Sequence, residues 1–248
     1  MKRFPLIIIV PFFYFIGYGQ GSVVLSDKPF IISHLKDTAL ESWLHKKTGY
    51  AQLSIEEKEI VYWVNIARSR PQEFLNTLLY PFLEQFPEVK SSYSRSLISE
   101  LSVLYPLPLL TPSAKLNQIA GNHAKDLALN QMTISHSSSK GKSFQERMNS
   151  IGYYDCISEN IYEGKENGLL SVIFLLIDTG VKNLGHRKNI MAPAMTEIGV
   201  SFYPIKGRIN QFFMVHNSSC EYYVSYTCNT VKVYEPILNK KLFYFSLP

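Results

Sequence analysis

Residues 168–191 read GLLSVIFLLIDTGVKNLGHRKNIM, and the contrast between their two halves decides how the chain folds. The run Gly168–Asp178 is apolar nearly all round, yet shorter than the roughly 20 residues a membrane-spanning helix needs, so it reads as a buried core helix. It empties into a polar turn in which Gly185 is followed by His186, Arg187, Lys188 and Asn189. A histidine there, in a polar turn, has no obvious partner offered by the surrounding sequence.

Working upstream, Ser113 opens a segment in which Leu116, Ile119, Ala120, Ala124, Leu127 and Ala128 recur at helical spacing, giving an amphipathic helix. Earlier still, Ser54 and Glu57 form a capping box for a helix carrying Ile60, Val61, Val64 and Ala67. Pro71 starts a second segment with Phe74, Leu75, Leu78 and Leu79, which Pro81 and Pro87 are expected to break. The stretch 89–112, rich in serine and holding Pro106, Pro108 and Pro112, reads as an inserted connection. A short helix is expected around Phe144–Ile151. Downstream, EIGVSFYP and NQFFMVHN have strand composition and meet at a Lys206–Gly207 turn, as a hairpin would. Helices first and strands after argue for an α+β fold.

The length of 248 residues suits one sizeable domain with extensions, and 46% hydrophobic with 18% charged residues places the chain among globular proteins. Lys2 and Arg3 precede an apolar run to Ile16 and small residues Gly17 and Gly19, the pattern of a secretory signal covering 1–19. Its removal takes the formal charge from +5 to about +3, too mild to argue for nucleic acid. The expected mature form is secreted, periplasmic or extracellular, without a stable membrane span. Residues 20–52 show little periodicity and read as an N-terminal extension; residues 219–248 read as a strand-rich C-terminal tail.

Export permits a disulfide. Cys220 and Cys228 flank EYYVSYT, so a local bridge requires that strand-like segment to turn, while Cys156 reads equally as a small buried hydrophobe.

The sequence carries no HExxH, GxGxxG, GxxxxGKS or GxSxG motif. Ser137–Lys140 matches S-x-x-K, but in a serine-rich loop without companion motifs. What remains is polar residues at the ends of apolar elements: His136, Glu159, Asp178 and His186. Imidazoles and carboxylates brought together ligate a divalent ion, or let a carboxylate orient a histidine for general-base work. His123 falls on an apolar stripe and reads as a packed histidine, and His216 as a strand-end residue. Arg187 and Lys188 read as a basic rim or as solvated turn residues, and Asn160 and Asn189 as residues holding the motif loops.

The ordered set NIARSRPQEF, LNQIAGNHAKDLA followed by Ser135-His136, SENIYEG, GHRKNIM and IGVSF resembles the CAP superfamily of cysteine-rich secretory, antigen 5 and pathogenesis-related proteins, in its shorter bacterial form with a GHR motif. The resemblance covers about residues 54–217. It implies a three-layer α-β-α sandwich over 53–218, with a cleft holding two histidines, on His136 and His186, and two acids, on Glu159 and Asp178. The second acid is usually a glutamate, so Asp178 departs from the pattern. Zinc or another divalent metal on His136 and His186 is an expected cofactor. Three functions follow as expectations: a secreted module binding a lipid, peptide or cell-surface ligand, a metal-assisted or histidine-based hydrolase, and a non-catalytic interaction protein.

Overall fold

The structure is a computed structural model that describes residues 23, 25–26, 28–30, 36–131, 133–152 and 156–220, and beyond them the backbone of three short strands. The proposed signal segment lies outside the described residues. Among the described residues, no helix is long and apolar enough to cross a membrane.

Helices α1 (Thr38–His45) and α2 (Thr48–Ala51) precede α3 (Ile55–Ser69), whose Ser54/Glu57 capping box is present as expected. Leu40, Leu44 and Tyr50 are buried in the same cluster as Ile60, Val64 and Ile66 of α3. The helices α1 and α2 of the nominal extension therefore pack against the domain core. Pro71 sits at the start of α4 (Pro71–Phe74). Pro81 does not break the chain as expected: a π-helical turn, Leu75–Leu79, leads into α5 (Tyr80–Gln85), where Pro81 occupies the first turn. The missing donor of a proline is tolerated there, next to a turn already departing from the regular ladder. After a 3-10 turn at Pro87–Val89, the supposed connection contains α6 (Ser92–Val103), capped by reciprocal bonds between Ser91 and Ser94 and burying Leu97 and Leu101.

Strand β1 (Thr111–Pro112) leads into α7 (Ala114–Asp126), which ends in a π turn at Leu127–Gln131. Then come α8 (Phe144–Asn149), β2 (Ile157–Gly164), α9 (Gly168–Ile177), α10 (Gly185–Ile190), β3 (Glu197–Pro204) and β4 (Phe212–Ser219). The expected β3–β4 hairpin forms, and Gly207 takes the left-handed φ of +77° that its turn requires. The sheet runs β1-β3-β4-β2, with β1 parallel to β3 and the other pairs antiparallel.

The two faces of this sheet carry different helices, as an α-β-α sandwich requires. Phe213 and Val215 of β4 and Ile161 of β2 pack with Ala120 and Ala124 of α7 and with Leu127 of the π turn that follows it. Met214, Val200 and Phe202 join the larger core built on α3 and α9. Alternation along each strand produces this division. Gly199 is where α7 presses closest, since a Cβ there would lie 2.2 Å from the backbone carbon of Leu116.

Strands β5 (Val224–Thr227), β6 (Thr230–Val233) and β7 (Phe243–Phe245) form a separate antiparallel sheet within the tail. Cys220 is bridged to Cys156 with Cα atoms 5.5 Å apart, while Cys228 lies outside the described residues. The pairing follows from topology: Ile157 and Ser219 are register partners at the ends of β2 and β4, so the cysteines just beyond them meet. The local Cys220–Cys228 alternative is thereby corrected.

Candidate functional site

The residues His136, Glu159, Asp178 and His186 form two histidine–carboxylate pairs. His136 directs Nδ1 to Glu159 Oε1 at 2.9 Å, and His186 directs Nδ1 to Asp178 Oδ1 at 2.7 Å. Both carboxylates are buried, whereas the His136 side chain is 58% exposed and that of His186 23% exposed. A carboxylate that accepts from Nδ1 places the ring hydrogen there and leaves Nε2 as the outward acceptor of the neutral imidazole.

The pairs lie on opposite faces of β2, an edge strand of the sheet. Glu159 and Ile161 point toward α7, and Asn160 and Tyr162 toward α9, as pleating demands. An asparagine bridge joins them around the strand. Asn189 Nδ2 donates to Asn160 Oδ1 at 2.8 Å and to Glu159 O at 3.3 Å, and Asn160 Nδ2 donates to His186 O at 3.3 Å.

Local structure explains the second pair. Asp178 ends α9 in a left-handed conformation, φ 60° and ψ 40°, which turns its carboxylate toward the start of α10. There it accepts from the backbone N–H groups of His186 at 3.0 Å and Arg187 at 3.3 Å. Leu184, the residue that flanks α10, gives no side-chain cap, so Asp178 supplies one from outside the helix.

The expected basic rim needs correction. Arg187 is 1% exposed, and its guanidinium donates to the carbonyls of Leu176, Ile177 and Tyr93 and to Ser96 Oγ, with Glu100 at 3.2 Å. It braces α9, α10 and α6 and is closed to a ligand, while Lys188 is exposed.

Sequence reasoning missed Arg147 of α8, whose Nη2 donates to Glu159 Oε2 at 2.6 Å and whose Nη1 donates to His136 O at 2.7 Å. Nothing in a short polar helix signals that role. His123 is buried as expected, with Nε2 2.8 Å from Ser135 O and 3.9 Å from Glu159 Oε1, and burial lowers its pKa.

His216 is no strand-end residue: it lies inside β4, paired with Asn160 and Val200. Asn160 Nδ2 approaches its Nδ1 at 3.2 Å and Ser218 Oγ its Nε2 at 2.9 Å, so Nδ1 accepts and Nε2–H donates to the hydroxyl. Burial, with smaller contributions from Arg68 and His186, pushes its pKa down to about 3. The unfolded chain binds a proton first as pH falls. The stability held by neutral His216 is thus complete above about pH 6.5 and lost from there toward pH 3, by up to about 1.4 kcal/mol per pH unit. Urea midpoints between about pH 7 and 5 should show this slope and His216→Asn should flatten it; an unchanged slope in the variant contradicts the assignment.

Beside the second pair lies a cavity of about 620 Å3, lined by Ile134, Ile161, Tyr162, Leu170, Phe174 and Val181, with Asp178 and His186 in its wall. Tyr162 and Phe174 stack with ring centroids 6.4 Å apart, and burial raises the Tyr162 pKa to about 12, so its hydroxyl stays protonated. His136 and Glu159 do not line this cavity.

The metal expectation meets an incomplete donor set. Glu159 is held by His136 and Arg147, and Asp178 by His186 and two backbone N–H groups. Among the described residues, no three histidine, cysteine or acidic side chains group as they would to hold an ion. The present donors do not fit a zinc centre with three protein ligands, and no step is derived through a metal.

An α-β-α domain with two carboxylate-oriented histidines flanking an edge strand defines the class. Residues 104–223 match the model of the cysteine-rich secretory protein family, CAP, and this part of the chain is a CAP domain. The match holds the last four of the quoted motifs and leaves NIARSRPQEF outside. A crystal structure of an extracellular protein containing an SCP domain from Bacillus anthracis is 21% identical over 52% of this chain, with a TM-score of 0.38. This chain covers 39% of that one. No curated protein matches.

Proposed function

We propose that the chain is an exported binding module whose cavity takes a lipid-like amphiphile. The apolar portion lies among Ile161, Tyr162, Leu170, Phe174 and Val181, and the polar head is read by Nε2 of His186. One observation carries this reading: the His186–Asp178 pair lines the same cavity as those apolar side chains. Ligand sites typically combine a mostly apolar volume of roughly 300–1,000 Å3 with a few convergent polar groups. Titrating a fluorescent polyene fatty acid into the full chain tests it, with a Kd on the order of 10 μM expected from typical ligand efficiencies. His186→Ala should weaken it about tenfold, the value of one polar contact. Absence of saturable binding rejects the reading.

A second reading, hydrolysis of an ester or peptide by water activated at His186, is favoured by the Asp178 carboxylate that fixes the imidazole tautomer. Release of free acid from an ester of the same fatty acid separates the two.

A further inference from the structure

The described part of the N-terminal segment belongs to neither the sheet nor its helices, yet it reaches the cavity. Val23 and Leu25 are half-buried, pack against the main core and line the cavity, with Ser26 and Lys28 beside them. Their attachment is made elsewhere. Phe30 sets its ring edge-on to Phe82, with centroids 5.3 Å apart, and 6.3 Å from Phe86. Ser26 N–H donates to Glu88 Oε1 at 3.0 Å, and Gln85 Nε2 donates to Pro29 O at 2.9 Å. These partners lie on α5, on the 3-10 turn behind it, and at Phe86 between the two.

We propose that the described residues Val23, Leu25, Ser26, Lys28, Pro29 and Phe30 form a strap that completes the binding cavity, with Val23 and Leu25 as its detachable wall and Phe30 as its anchor. The inference rests on the cavity being a ligand site, as proposed above. The cavity keeps its volume of about 620 Å3 with the strap in place, so the strap encloses the space and does not fill it. The walls from α9 and β2 are fixed by the core, whereas the described residues of the strap are held by the half-buried side chains of Val23, Leu25 and Phe30 and by solvent-exposed hydrogen bonds to Glu88 and Gln85. Exposed hydrogen bonds contribute little net stability, so the strap releases more readily than the other walls. An apolar chain enters by displacing it and is held when it returns.

Two variants of the full chain separate wall from anchor. Val23→Asp with Leu25→Asp places carboxylates in the wall, and Phe30→Ala frees the strap without touching a cavity-lining residue. Both should dissociate the fluorescent fatty acid about tenfold faster than the unmodified chain in stopped-flow measurements, as lost apolar contact predicts. Their thermal unfolding should stay close to that of the unmodified chain, because neither site lies in the fully buried core. Unchanged dissociation in both variants, with binding still abolished by Leu170→Trp in the cavity, overturns the strap and leaves the cavity reading standing. Slower dissociation or tighter binding in both overturns it too, since the strap would then exclude the ligand. Failure of the unmodified chain to bind removes both readings.

Discussion

Arg68→Met is expected to destabilise the fold by on the order of 4 kcal/mol, a large share of the stability of a domain this size. Arg68 is fully buried in α3. Its Nε donates to Pro108 O at 3.0 Å, Nη1 to Ile190 O at 2.7 Å and to Ala192 O at 2.9 Å, and Nη2 to Met195 O at 3.3 Å. Burial lowers its pKa to about 10, still high enough to keep the guanidinium charged at neutral pH. Methionine fills most of the volume but leaves four carbonyls without that donor, and each buried unsatisfied group costs about 1–3 kcal/mol. Lysine should recover less than half of the loss, because an ammonium cannot present donors in the same planar fork. Urea denaturation provides the measurement, and a loss below about 1 kcal/mol would show that water or rearrangement satisfies those carbonyls.

Asp178→Ala should cost about 2–3 kcal/mol and weaken amphiphile binding at least tenfold, as the three hydrogen bonds accepted by this carboxylate vanish together. Two of them cap α10 and the third orients the His186 ring. Alanine also tolerates the left-handed backbone at this position poorly. Asp178→Asn divides these effects. Asparagine suits that backbone and keeps one acceptor oxygen, so the stability loss should fall to about 1 kcal/mol. The second acceptor is still gone, so binding should remain impaired and NMR should show a changed His186 tautomer. An Asp178→Ala variant that unfolds at the wild-type midpoint would contradict the capping role.

The sequence exposed those features whose partners share a motif or a strong period. The capping box at Ser54, the apolar α9, the stripe of α7 and the β3–β4 hairpin are local patterns, and each appears where its pattern lies. Asp178 and His186 were recognisable through the motif that follows the buried helix. The role of Arg187 is hidden in the sequence together with α6. Its acceptors Tyr93, Ser96 and Glu100 lie on a serine-rich helix with only two deeply buried leucines, and a segment taken for a connection offers no reason to turn an arginine inward. The contact of Arg147 with Glu159 depends on how α8 docks against β2, and the Cys156–Cys220 bridge on strand register across 64 residues, neither of which periodicity encodes. The cavity wall at Val23 and Leu25 has no periodic signature, since an extended segment held at a few points needs none.

Leu170→Trp tests most directly whether the cavity beside His186 is a ligand site. Leu170 is a partly buried lining residue at the start of α9, where an indole would enter the cavity while the helix remains capped by Asn167. Fluorescence titration of the polyene fatty acid should show saturable binding near one equivalent to the unmodified chain and at least a thirtyfold loss in the variant, on the order of 2 kcal/mol, with unfolding unchanged. Equal binding by the two folded proteins would place the ligand elsewhere and contradict the assignment of this cavity.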